Sequence, residues 1–265
     1  AEDGMWNARV AEDLKGKFYA FNATIDEVWQ GDTPGLMARA VGVNGNRAAI
    51  LDLRTTDPEG WANDRRPVLN HFSDIVIYEL HHRDFSIDTV SGIRHRGKYL
   101  ALTEDSTHTY WGDKTGISHL KERGITHVHL LPSFDFSSVD ESKPDKPQYN
   151  WGYDPKNYQV PEGSYATDPF TPEVRIWEFK QMVMVLHKAG IRVIMAVVFN
   201  HTAQTHGSNF ERTVPGYFYR HDADGNFANG SGCGNETASE RPMMRRCMVE
   251  SVCYWAQEYH LDGFR

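Results

Sequence analysis

Tyr149-Asn150-Trp151-Gly152-Tyr153-Asp154-Pro155 gathers three aromatic rings, an amide and a carboxylate into seven residues. Flat aromatic faces stack on the C–H patches of sugar rings, and amides and carboxylates bind hydroxyls. The segment therefore reads as a surface able to grip carbohydrate. A turn of the form N-x-G-x-D-P with its aromatics packed inside is the plain alternative. Two further segments carry polar groups directly after apolar runs. Phe199-Asn200-His201 follows Val193–Val198, and Asp262-Gly263-Phe264-Arg265 closes the chain. In barrels of alternating strands and helices, functional groups collect at the C-terminal strand ends. His201 and Arg265 are thus candidate contacts. Their bland alternatives are a histidine bonded to backbone and a solvated arginine.

Other chemistries find no support. His201 and His206 are five apart without an H-E-x-x-H pattern, which argues against zinc. Asp222-Ala223-Asp224-Gly225-Asn226 has the look of a calcium loop, but the twelfth-position glutamate is missing, so a turn is expected. Neither a phosphate-binding G-x-x-x-x-G-K-[ST] loop nor a G-x-S-x-G elbow occurs. The net charge of −8 argues against a nucleic-acid partner. No apolar run approaches the roughly 18 residues of a membrane span. Ala1-Glu2-Asp3-Gly4 shows no leader, and the compartment is left open. Cys233, Cys247 and Cys253 form neither a disulfide framework nor a zinc site, and they read as free thiols.

The elements that must position these groups fall into two rhythms. Residues 1–70 read as short strands. Asn44-Gly45 is a hairpin signal between Leu36–Val43 and Arg47–Leu53, and Thr56–Gly60 is a boundary loop. From residue 71 the pattern changes. Ile75–Tyr78, Ile125–Leu131 and Val193–Phe199 are continuous apolar runs suited to parallel strands buried on both faces. Between the second and third, Thr171 and Pro172 open a helix whose Ile176, Phe179, Val183 and Leu186 share one face, and Gly190 follows its end. A second helix starts near Pro242 with Met248, Val252, Trp255 and Tyr259 on its stripe, and His260–Arg265 is a fourth strand. The expected fold class is α/β. Residues 71–265 would supply about four βα units, the first half of a (β/α)8 barrel, with 202–240 an irregular insertion after the third strand.

The heptapeptide and the D-G-F-R strand resemble the α-amylase superfamily of glycoside hydrolases, and within it the type I pullulanases. The resemblance implies that residues 1–70 are the last strands of a carbohydrate-binding-like β-sandwich module. It implies Tyr153 as a platform under the sugar at the cleavage point and His201 as a sugar contact. Asp154 and Asn150 would pin the loop or touch sugar, Trp151 and Tyr149 would shape the wall, and Asn200 would anchor the loop, in some members as a calcium ligand. Gly230–Glu236 resembles another family segment, in which Asn235 and Glu236 border the substrate or make a turn. The strand ends at Glu79–Ser86 and Leu131–Phe136 would shape the cleft without a catalytic role.

In the family the last strand reads D-G-F-R-F-D, its final aspartate being the nucleophile. This chain ends two residues earlier, so Arg265 would be a supporting residue and the nucleophile, acid and stabiliser would lie beyond it. Ala196 stands where the family segment D-V-V-F-N-H opens with an aspartate. The implied activity is hydrolysis of α-1,6-glucosidic bonds in pullulan and branched α-glucans by a retaining mechanism. No cofactor is required, calcium being the one candidate. The implied partners are an α-glucan and a complementary C-terminal half. The 265-residue chain alone would be inactive, with the outer strands of its open sheet exposed. A non-catalytic glucan-binding fragment and another superfamily member such as an isoamylase are the alternatives.

Overall fold

The computed structural model describes residues 9–265, so the reading of Ala1–Gly4 lies outside the described residues. Four parallel strands form its centre: β1 (Ile77–Leu80), β2 (His127–Leu130), β3 (Arg192–Met195) and β4 (Gly263–Phe264), in the order β4-β3-β2-β1. Leu80 pairs with Leu130, Leu130 with Met195, and Met195 with Phe264, so the strand tips end level. Helices α1 (Gly116–Glu122), α2 (Pro172–Lys188) and α3 (Pro242–Glu258) occupy the three connections. A parallel neighbour requires such a crossover, and its helix covers one face of the sheet. The result is a partial (β/α)8 barrel preceded by extra strands. β1 and β4 have one neighbour each and are the outer strands.

The sequence of α2 accounts for its limits. Ile176, Phe179, Val183 and Leu186 are fully buried against β2 and β3 in the main core cluster. Each such side chain contributes about 1.5–3 kcal/mol relative to exposure. Gly190 stops the helix in the left-handed region at φ 81°. Its amide bonds the His187 carbonyl at 2.9 Å, and Ile191 reaches back to Leu186 at 2.9 Å, a Schellman closure. At the other end the expectation needs correcting. The Thr171 hydroxyl donates to Asp168 Oδ2 at 2.6 Å and does not cap the helix. On α3, Trp255 and Tyr259 are buried as expected, whereas Met248 and Val252 are only half-buried. Met244, Cys247, Ser251, Tyr254 and Trp255 face inward, because Ser251 and Trp255 both donate to the Tyr158 carbonyl and fix the rotation.

The N-terminal strands are shorter than expected. Phe18–Tyr19 pairs with Ala48–Ala49, and Phe21–Ile25 with Val28–Thr33. Asn44 and Gly45 do make the tight turn, with φ of 61° and 65°. The expected strand Leu36–Val43 reduces to one bridge between Val41 and Ala48. The reason is competition from the barrel: Ala40 and Trp61 pack in its core cluster, and the Asn44 turn bonds to its loops. A further antiparallel pair, Phe134–Phe136 with Pro155–Pro161, rises after β2 and supports the aromatic loop between them.

Candidate active site

The aromatic loop leaves β2 by way of Leu131-Pro132 and is braced from within. The Asn150 amide donates to Asp154 Oδ1 at 2.7 Å, and Asn150 Oδ1 accepts from the Gly152 amide at 2.7 Å. Asp154 Oδ2 accepts from the Ser138 amide at 2.9 Å and from its hydroxyl. Gly152 holds φ 88°, and a Cβ there would lie 2.5 Å from the Pro132 carbonyl oxygen. Only glycine fits.

Three neighbouring strand ends hold this loop. His81, just past β1, places Nε2 2.7 Å from the Asn150 carbonyl. His201, beyond β3, places Nε2 2.7 Å from the Tyr153 carbonyl. Arg265, at the tip of β4, donates from Nη1 to the Tyr153 hydroxyl at 3.2 Å. Tyr153 is thus gripped at both ends. His201 is 8% exposed, so its bond to backbone, the plain alternative of the sequence reading, is realised. Asn200 sits beside it at 3.3 Å and accepts from the Thr237 amide through its own carbonyl, which ties on the 202–240 segment. Tyr149 and Trp151 are 51% and 62% exposed and form an open wall.

Arg265 itself is exposed. Its amide bonds Met195, and its carbonyl accepts from Val197. Ala196, fully buried, lies between those two partners, so the residue that replaces the motif's aspartate sits beside Arg265. Asn235 does not open onto the cleft. It is buried and clamps Thr202 through both backbone groups at 2.9 and 2.8 Å. Glu236 pairs with Arg220 at 2.7 Å. Asp222 accepts from the amides of Asp224 and Asn226, the expected turn.

Sequence reasoning missed a buried ionic group beneath the loop. Asp135, Glu141 and Glu162 lie with oxygens within 4.8 Å of one another, a spacing that could hold a cation. Here the cation is Arg175, fully buried, 2.7 Å from Glu141 Oε2 and 3.3 Å from Asp135 Oδ1. Glu162 instead accepts the Phe136 and Ser164 amides at 3.0 and 2.8 Å. Burial, then Glu141, pushes the Asp135 carboxyl up to about 7. Burial, then Glu141 and Asp135, also raises Glu162 well above the usual carboxylate range. Gly45 and Gly163 leave room: a Cβ at either would lie 2.3–2.4 Å from these carboxylates or Arg175. The available signal was an arginine four residues before Phe179, inside the apolar stripe of α2.

An open, parallel half-barrel whose strand tips converge on an aromatic, polar loop defines an α-amylase-type catalytic domain. Residues 99–224 match the family model for the α-amylase catalytic domain. The chain is 47% identical over its whole length to the pullulanase of Bacillus subtilis (strain 168), of which it spans 36%, and 36% identical over 99% of its length to pullulanase 1, chloroplastic, of Arabidopsis thaliana, of which it spans 31%. It superimposes with a TM-score of 0.94, at 53% identity, on the crystal structure of the Paenibacillus barengoltzii pullulanase in complex with maltohexaose and α-cyclodextrin, covering 97% of this chain and 40% of that one. The chain belongs to the pullulanase-type branch of the α-amylase family of glycoside hydrolases and spans about a third of the length of these curated relatives.

Proposed function

We propose that the chain is the first part of a debranching enzyme that hydrolyses α-1,6-glucosidic bonds in pullulan and branched α-glucans by a retaining, two-carboxylate mechanism. The carrying observation is Tyr153, held between the His201 ring and the Arg265 guanidinium on a loop that exposes Trp151. In this reading Tyr153 is the platform under the sugar, and its face favours the positive charge that develops at the anomeric carbon. His201, Asp154, Asn150 and Trp151 border the sugar, Asn200 anchors the loop, and Arg265 keeps the nucleophile of the adjoining strand ionised. Residues 1–70 are the end of a carbohydrate-binding-like module, 71–265 the first half of the barrel, and 202–240 its insertion.

The chain by itself is inactive in this reading, although it contains a carboxylate cluster. Asp135, Glu141 and Glu162 are buried and engaged by Arg175, Asn157 and backbone amides, which takes them out of reach of substrate. The mechanism requires no cofactor. Calcium finds a position among those three oxygens only if Arg175 is displaced.

The test is to incubate the purified chain with pullulan and assay reducing ends, alone and with a C-terminal fragment carrying the rest of the barrel. No turnover alone and turnover on mixing are expected. Robust hydrolysis by the chain alone, or binding of pullulan with no turnover in either sample, would overturn the reading.

A further inference from the structure

Beside the aromatic loop lies a cavity of about 370 Å³ between the segment after β1 and residues 144–150. Its charged lining is Arg83, Arg96, Lys98 and Lys146 against one carboxylate, Asp145. That excess of positive charge runs against a chain whose net charge is −8. The Arg96 and Lys146 side chains have no hydrogen-bond or ion-pair partner among the described residues. Lys98 donates only to the Ser164 carbonyl, at 2.8 Å, which leaves two of its three N–H bonds unused. Burial lowers its pKa despite the nearby Glu178 and Glu162 carboxylates. Arg83 is the partial exception, since Asp84 lies 3.0 Å away.

Cations held around a hollow repel one another, and the arrangement is stable only with water or an anion between them. Guanidinium forks and ammonium groups together match a phosphate, which offers several acceptor oxygens. Of the remaining lining, Ser164 offers a hydroxyl to a hydroxylated body, whereas the Gln148 and Asn150 amides are already engaged with Asp140, Lys143, Asp154 and Gly152, and Phe136 and Tyr165 are buried.

We infer that this cavity binds the phosphate monoester of a sugar, either a free hexose phosphate or a phosphate carried on a glucan chain. The sugar part of the inference rests on the glucan reading above; the anion part rests on the charges alone. The cavity also touches the cleft. His81, which lines it, holds the Asn150 carbonyl of the aromatic loop, so an occupant would bear on the loop's position.

The experiment is titration calorimetry of the whole chain with glucose 6-phosphate, inorganic phosphate, glucose, maltotriose and a phosphorylated maltodextrin. Glucose 6-phosphate should bind more tightly than inorganic phosphate, and glucose should not compete. The double variant R96Q/K146Q changes two exposed, unpartnered side chains and should weaken ester binding about tenfold or more while leaving maltotriose binding intact. D145N, which removes the single acid, should tighten it. Tighter binding of the phosphorylated maltodextrin than of the hexose ester identifies the phosphate as part of the glucan; the reverse identifies a free metabolite. No ester binding, an unchanged R96Q/K146Q, or equal affinity for inorganic phosphate overturns the inference. Loss of maltotriose binding in the wild type would instead count against the glucan reading.

Discussion

His201 holds Tyr153 by its backbone: the imidazole Nε2 lies 2.7 Å from the Tyr153 carbonyl oxygen, while the hydroxyl of the same tyrosine accepts from Arg265 at 3.2 Å. The ring therefore sets the height and tilt of the exposed loop, whatever it also does to a ligand. His201→Ala leaves that carbonyl without its donor. The expected stability loss is about 1 kcal/mol, the usual net contribution of one hydrogen bond. Maltotriose affinity should fall about tenfold as the platform loosens. Calorimetric binding and a urea melt on the same sample decide it; a stability loss with unchanged affinity would leave His201 a purely structural residue.

Gly152→Ala tests the loop from its other side. The added Cβ meets the Pro132 carbonyl at 2.5 Å in a backbone conformation with φ 88°. A cost of about 1–3 kcal/mol is expected for the strained residue alone. Because Trp151 and Tyr153 flank it, glucan binding should fall with it. Near-UV circular dichroism would follow the aromatic rearrangement.

Arg175 is the cation that bonds the buried Asp135 and Glu141, with the buried Glu162 beside them. Arg175→Met removes it and leaves them facing one another. The expected destabilisation is about 3–5 kcal/mol, the range for breaking a buried pair from one side. Adding Glu141→Gln should recover part of it, because the carboxylate that loses its partner Arg175 is then neutral. Urea midpoints of the two variants provide the comparison.

His187 predicts a pH dependence. Its Nδ1 lies 2.8 Å from Asp64 and its Nε2 2.9 Å from Asp262, and Asp64 is also 2.8 Å from His260. Burial opposes the charged ring, but the bonds to Asp262 and Asp64 outweigh it and raise the pKa above 6.5. A group whose folded value is raised stabilises fully below its unfolded value, and the benefit fades as pH climbs through the folded one. Melting temperature should therefore decline from about pH 6.5 upward. His187→Gln should melt lower at pH 6 and show a flatter decline. Equal slopes for both proteins would sink the assignment.

Much of the barrel was legible because its signals are local. Continuous apolar runs marked β1 to β3, and the 3-4-3 spacing of Ile176, Phe179, Val183 and Leu186 marked the buried face of α2. On α3, Trp255 and Tyr259 were read correctly, but Met248 and Val252 are half-buried while Ser251 turns inward to bond the Tyr158 carbonyl beside Trp255. The N-terminal strands were overdrawn for a similar reason. The Asn44-Gly45 hairpin signal implies a strand at Leu36–Val43, but Ala40 and the Asn44 turn make their contacts with the barrel.

By itself the sequence determined the candidate contacts, since Tyr153, His201 and Arg265 are fixed by motif and by position after apolar runs. It also determined the helix stop at Gly190, where one residue type meets a local backbone demand. Only the tertiary structure decided which groups those residues touch. His201 reaches a carbonyl 48 residues away, Arg265 a hydroxyl 112 away, and Arg175 a carboxylate 34 away. Such pairings depend on how four strands align in register, a global packing outcome that no short window of sequence encodes.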